Sequence, residues 1–298
     1  MTLVLTDADR SMLRGESGDG HALAMRVVTR TAQAMAAESL LDIVGAHIDS
    51  CLDHGQAGLD FAELLARDGS QVRVPATLNV SSLDLLHPEL YRGGSAKADR
   101  ARRLMGYYEQ MGCRPTWTCA PYQAGTRPGF GQHVAWAESN AIVFANSVLG
   151  ARTHRYGDFL DICAAVTGRA PAAGLHLDEN RLAQVVVDTS GLPPRLFDVD
   201  AFYPVVGHFM GGAVGQRLPV LVGLPPGLSE DRLKAIGAAA ASAGSIGMFH
   251  CVGSTPEATD LDEAAGGRGL RVIVVSLAMI QSARDALSTT RSTDLGIV

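Results

Sequence analysis

The chain has 298 residues, 47% of them apolar and 19% charged, with 33 glycines and a formal net charge of −6. That length can bury a substantial core, as one large α/β domain or two smaller ones. The acidic balance, with no basic cluster, argues against a nucleic-acid surface. No apolar run is long enough to span a bilayer, and five cysteines without regular spacing argue against a disulfide scaffold, so a reducing, cytoplasmic setting is expected.

Residues 6–19 read as a short helix capped by Thr6 or Asp7 and ended by Gly15 and Gly18. Apolar residues at helical spacing over 21–41 predict an amphipathic helix feeding a strand at 41–44. His47, Asp49 and Cys51 follow that strand, where open α/β sheets bind ligands. Residues 59–66 read as a helix and 71–74 as a strand, with Asn79 beyond it; 96–111 read as a charged, exposed helix with an apolar seam.

The stretch 112–181 mixes thiols, imidazoles, amides and guanidiniums with glycine more densely than any other part, and carries both tryptophans. Within it, 141–145 is a strand or a buried helix by periodicity alone, and 158–167 reads as a helix with Cys163 on its core side. The prolines at 193, 194 and 204 suggest a linker or subdomain boundary. Strands are expected at 218–224, 246–252 and 270–275, a helix at 228–243 and another through Leu287, with the front of a further strand at 294–298. Neither a G-x-x-x-x-G-K-[ST] run nor a G-x-G-x-x-G turn occurs, which disfavours a nucleotide-binding domain.

Several blocks carry a resemblance: Gly15-Glu16-Ser17-Gly18, Ala46-His47-Ile48-Asp49-Ser50-Cys51, Thr118-Cys119-Ala120-Pro121-Tyr122, Asn146-Ser147-Val148-Leu149-Gly150-Ala151-Arg152-Thr153 and Phe249-His250-Cys251-Val252-Gly253-Ser254. In this order they resemble the large subunit of the aconitase X family, a divergent branch of the aconitase superfamily. The resemblance implies an α/β fold of the aconitase large-subunit type, built of parallel-sheet βα units over 1–298. Members of the family usually continue past this point, so the chain reads as truncated at its C-terminus.

The activity so implied is a hydro-lyase that removes water from a small hydroxy acid, cis-3-hydroxy-L-proline in bacteria or mevalonate 5-phosphate mainly in archaea. The alanine-rich, arginine-over-lysine composition favours the first. In the family, cysteines hold an iron–sulfur cluster or iron as Lewis acid, and Cys119 matches one ligand; the others fall where the chain would continue beyond Val298. The superfamily's base sits on a small swivelling domain, here expected as a separate small subunit.

Among the residues themselves, His47 and Asp49 read as an acid/base or substrate-orienting pair. Arg152 and Arg155 suit a carboxylate or phosphate because the guanidinium makes two parallel hydrogen bonds. Asn79, Asn146, Ser147 and His176 would orient the same molecule, with Asp178 two residues beyond His176 as its partner. A non-catalytic homologue that binds a partner subunit is the rival reading.

Overall fold

The computed structural model describes residues 3–288; the expected strand at 294–298 lies outside them. The chain divides into two compact units, 1–145 with 149–180, and 146–148 with 181–298. The division falls at Asn180/Arg181. The proline-rich 193–204 stretch, where a boundary was expected, instead forms a 3-10 helix, Pro194–Asp198, and the start of a long helix inside the second unit.

In the first unit, α1 (Asp7–Leu13) begins with a reciprocal cap: Asp9 N–H donates to Thr6 Oγ1 and Thr6 N–H to Asp9 Oδ2. Helix α2 (Asp19–Ala34) buries Met25, Val28 and Ala32. Strand β1 (Leu40–Asp42) pairs antiparallel with β5 (Arg169–Pro171). Between them come β2 (Ala46–Ile48), α3 (Gln56–Ala66), β3 (Ala76–Leu78), α4 (Ser95–Gln110), β4 (Ala135–Trp136), α5 (Ser139–Ser147) and α6 (Leu160–Thr167). Helix α6 stops at Gly168, which takes the left-handed conformation that spares other residues nothing but suits glycine (φ 70°).

The site is built on the parallel sheet β3-β2-β4. Its register sets His47 beside Thr77 on one side and Trp136 on the other. The chain at Arg114 adds a bridge on the outer side of β3, placing Arg114 beside Thr77. Side chains alternate across a sheet. Ala46, Ile48, Ala76, Leu78 and Ala135 therefore join the apolar core with α2 and α6, and the opposite face carries Arg114, Thr77, His47 and Trp136 in one row. The strand expected at 71–74 lies a few residues later, at Ala76–Leu78, and 141–145 is helical, within α5.

The second unit contains β6 (Val185–Asp188), α7 (Phe202–Val214), β7 (Pro219–Val222), α8 (Glu230–Ala243), β8 (His250–Cys251), α9 (Leu261–Ala265), β9 (Arg271–Val274) and α10 (Leu277–Ala286). Its strands form one parallel sheet in the order β8-β7-β6-β9. Helices α7 and α8 approach closely because α7 carries Gly207 and Gly211 one turn apart. A Cβ at Gly207 would stand 2.3 Å from the Ile236 carbonyl, and one at Gly211 2.5 Å from that of Ala240.

Candidate functional site

Where β2, β3 and β4 end, the row of alternating side chains continues one step. Asn79 N–H donates to the Ile48 carbonyl and Ala137 N–H to the His47 carbonyl, so the pairing persists past the strands. The next residues on the Arg114–Thr77–His47–Trp136 face are Asn79, Asp49 and Glu138. Two rows therefore lie about 7 Å apart along the strands. The first carries a guanidinium, a hydroxyl, an imidazole and an indole; the second carries an amide and then two carboxyls, with Asp49 in the middle.

Asn79 Nδ2 donates to Asp49 Oδ1. Burial raises the Asp49 carboxyl above its ordinary range; the Asn79 bond opposes this, while the Asp158 charge adds to it. Glu138 is also raised by burial, and by the charge of Asp49, against the backbone N–H groups of Ala141 and Asn140 that it accepts. One of these accepted bonds is Ala141 N–H to Glu138 Oε2 at 2.7 Å, so Glu138 also caps α5. The Asp49 charge thus adds to the burial that raises Glu138, which puts the two carboxyls within electrostatic reach of one another.

His47 is fully buried, and its Nδ1 lies 2.8 Å from Thr77 Oγ1. Burial lowers its pKa to about 4, with the Thr118 and Thr77 backbones opposing. The expected His47–Asp49 pair is thus corrected. The imidazole is neutral near pH 7 and bonds to threonine, and the aspartate bonds to Asn79. Residues two apart on a strand share a face but stand too far apart to touch.

Three buried polar atoms on or beside these rows lack a hydrogen-bond partner among the described residues: Asn79 Oδ1, Trp136 Nε1 and Asn140 Oδ1. Buried polar groups are rarely left so, because each costs about 1–3 kcal/mol. Their clustering at the carboxyl ends of parallel strands marks a place for a polar ligand.

The loop holding Cys119 lies beside the second row. Asn140 Nδ2 donates to the Cys119 carbonyl at 3.3 Å and to Tyr122 Oη at 2.9 Å, and Tyr122 stacks on Phe144 with ring centroids 3.6 Å apart. Cys119 is exposed, whereas Cys51, Cys113, Cys163 and Cys251 are buried. Burial pushes the Cys113 and Cys251 thiols up to about 12, so these behave as protonated core side chains. Among the described residues no group of three His, Cys, Asp or Glu side chains could hold a metal ion. The donors present are one accessible thiol, which does not make up an iron site.

Other expected ligands are committed elsewhere. Arg152 donates to the His176 carbonyl at 3.1 Å and pairs with Asp178. His176 is buried against His133 (Nδ1 to Nδ1, 3.0 Å) and Tyr156 Oη, so it is not joined to Asp178. Arg155 is exposed beside His154, whose pKa it helps lower after burial. Asn146 and Ser147 belong to the second unit. Asn146 Oδ1 accepts from Arg181 Nη1 at 3.1 Å and Asn146 Nδ2 donates to the Gly247 carbonyl, while Ser147 Oγ accepts from Phe249 N–H. Arg181, itself buried, is held by Glu257, which gives that glutamate a structural role.

Sequence reasoning missed Glu138, Trp136 and Asp161. Asp161 is fully buried and accepts Asp49 N–H at 2.7 Å, Ser50 N–H at 3.0 Å and Ser50 Oγ–H at 2.9 Å. Tyr108 Oη–H donates to the same serine at 2.7 Å. Asp161 thereby fixes the turn that presents Asp49. Its signal was available: one aspartate in the otherwise apolar run Leu160-Asp161-Ile162-Cys163.

Residues 2–179 match the aconitase X first domain and residues 183–285 the aconitase X second domain. The cis-3-hydroxy-L-proline dehydratase of Pseudomonas aeruginosa is 47% identical over 88% of this chain and 45% of its own length. That of Hypocrea jecorina is 44% identical over 95% of this chain and 48% of its own. The phosphomevalonate dehydratase large subunit of Thermococcus kodakarensis is 35% identical over 86% and 63% respectively. The chain thus spans about half the length of the first two relatives. Among solved structures, the aconitase X of Thermococcus kodakaraensis in its holo form superposes with a TM-score of 0.85 at 32% identity, over 96% of this chain and 70% of that one. With both of its domain models matched in order and its fold shared with a solved member, this chain belongs to the aconitase X family.

Proposed function

We propose that the chain is the catalytic part of a hydro-lyase that removes water from a small hydroxy acid, cis-3-hydroxy-L-proline in the first instance. The observation that carries this is the row Asn79–Asp49–Glu138 at the strand ends, in a chain 44–47% identical to two dehydratases of that substrate. Elimination of water needs one group to take a proton from the carbon next to the carboxylate and another to protonate the departing hydroxyl. Two carboxyls at neighbouring strand ends, both raised by burial, suit those two tasks. Asn79 orients Asp49, and Asp161 holds the backbone beneath it.

Cys119 would be one thiolate ligand of the iron centre that family membership implies. The described residues furnish no second or third. The relatives named as large subunits support a small-subunit partner, and a cytoplasmic location accords with the buried, protonated thiols.

The test is anaerobic purification with and without the candidate small subunit, followed by iron and sulfide analysis and assay of cis-3-hydroxy-L-proline against mevalonate 5-phosphate. Iron that is lost on Cys119→Ala, together with turnover of the imino acid, supports the reading. Turnover of the phosphate ester alone moves the substrate. Absence of both iron and turnover in every preparation favours the partner-binding rival.

A further inference from the structure

A second pair of titratable groups stands beside the carboxyl row and has no part in the proton transfer above. His54 Nε2 lies 2.9 Å from Asp158 Oδ2, and the two side chains are 43% and 33% exposed, so a small molecule can reach both. A carboxylate only accepts, so Nε2 carries the hydrogen and Nδ1 is the ring nitrogen left for a ligand. Each partner is tied to Asp49. His54 belongs to the turn that leaves β2 through Asp49, and Asp158 lies three residues before Asp161, which accepts the Asp49 N–H. Burial contributes most to the raised Asp49 carboxyl; the Asp158 charge adds to it and His54 opposes it, which puts both within electrostatic reach of Asp49.

The surrounding chain holds both groups in place. Asp53, next to His54, accepts Gly55 N–H at 3.0 Å and two bonds from Arg100 at 2.8 Å, while its own N–H donates to Ser82 Oγ at 2.9 Å. Beside Asp158, Phe159 has φ 75°, a conformation that residues other than glycine rarely take, and its ring packs on Phe61 with centroids 4.9 Å apart. Strain of that kind concentrates at binding and catalytic sites, where the surrounding packing enforces it.

We propose that the His54–Asp158 pair is the specificity contact of this site and recognises a zwitterionic imino acid, the imidazole taking the carboxylate and Asp158 the ring ammonium. The assignment rests on the hydro-lyase reading above and replaces Arg152 as the carboxylate anchor, since that guanidinium is spent on Asp178 and the His176 carbonyl. Protonated, the His54 ring donates from both nitrogens, one to Asp158 and one to the carboxylate. An imino acid carries its ammonium and carboxylate on one carbon, so its two charges lie as close together as those of the pair and meet them in reverse order. Held so, that carbon is brought toward the Asp49–Glu138 pair. Asp49, Glu138 and Asp158 make the surroundings acidic, which suits an ammonium and disfavours a phosphate ester.

The test uses the protein assembled anaerobically with iron and its small-subunit partner. It measures turnover of cis-3-hydroxy-L-proline together with calorimetric binding of L-proline, L-prolinamide, tetrahydrofuran-2-carboxylate and mevalonate 5-phosphate. Prolinamide lacks the carboxylate, and the tetrahydrofuran acid lacks the ammonium. Wild type is compared with His54→Gln, Asp158→Asn and, as a control, His87→Gln at an exposed histidine beside Glu89. Wild type should bind L-proline about tenfold or more tightly than either isostere. His54→Gln should abolish the preference over prolinamide, and Asp158→Asn the preference over the tetrahydrofuran acid. Each should raise KM about tenfold or more with a much smaller change in kcat, and His87→Gln should behave as wild type. Misfolding would weaken every ligand alike, so the selectivity ratios, not the affinities, decide. Zwitterion binding with those selective losses but no turnover keeps the recognition and removes the hydro-lyase reading. Turnover of the imino acid with KM and selectivity unchanged in both variants overturns the proposal and leaves the hydro-lyase reading in place. A fall in kcat at constant KM in His54→Gln overturns it as well, as does a wild type that binds mevalonate 5-phosphate and not L-proline.

Discussion

Asp161→Asn separates the cost of burying a charge from the value of the bonds that charge accepts. Burial drives the Asp161 carboxyl up to about 6, against the opposing bonds from Ser50, Ile162 and Asp49. In the unfolded chain an aspartate titrates near 3.9. The folded form therefore binds the proton more tightly, and this group contributes stability that is fully present below about pH 4 and is lost as pH rises through about 6. The loss amounts to about 3 kcal/mol. Asparagine keeps the shape but turns one acceptor into a donor. One oxygen of Asp161 accepts Asp49 and Ser50 N–H, and the other accepts Ser50 Oγ–H and Ile162 N–H. Either amide orientation leaves donors facing donors, at about 2–4 kcal/mol in total. Urea denaturation of wild type and variant at pH 4.5, 6 and 8 should show wild type losing about 3 kcal/mol from the lowest pH to the highest, and the variant, which has no group to ionise there, losing little of it. The gap between them should shrink by about 2–3 kcal/mol at the highest. A gap that stays constant across the range would refute the assignment of a buried, ionising carboxyl at this position.

Three further outcomes are expected. Asp49→Asn and Glu138→Gln should each lower kcat for elimination by about 10²–10⁴ with a much smaller change in KM, measured by steady-state kinetics; because both carboxyls are raised, the acidic limb of the wild-type pH–rate profile should lie above the ordinary carboxylate range. Arg181→Met in the second unit should destabilise by about 3–5 kcal/mol in chemical denaturation, since it strands Glu257 and the Asn146 amide oxygen. Gly207→Ala should cost about 1–3 kcal/mol in the same assay, because the new methyl meets the Ile236 backbone; a neutral effect would contradict the close α7–α8 approach.

The helices were legible because their apolar periodicity runs over many residues. Residues 96–111 became Ser95–Gln110, and 228–243 became Glu230–Ala243, differing only at the ends. The site-bearing strands were not. Ala46–Ile48, Ala76–Leu78 and Ala135–Trp136 are too short to show alternation and too poor in β-branched residues to carry propensity, so tertiary packing defines them. The same holds within the site. His47, Asp49 and Asn79 stood out as polar groups in dense motifs, but their pairing with Glu138 and Trp136 depends on the register between strands some 90 residues apart in sequence, which no local pattern encodes. Asn146, Ser147 and His176 were read as ligands because buried polar residues and substrate-binding residues look alike in sequence. Their bonds to Arg181, Gly247, Phe249, His133 and Tyr156 show that they satisfy buried partners.

The central claim is that the Asp49–Glu138 pair moves the proton in a dehydration. The most direct measurement follows cis-3-hydroxy-L-proline by proton NMR in deuterium oxide, using the protein assembled anaerobically with iron and its small-subunit partner. Wild type should consume the substrate with elimination of water, while Asp49→Asn and Glu138→Gln, folded and loaded with iron like wild type, should leave it almost untouched. Elimination at undiminished rates in both variants would contradict the account.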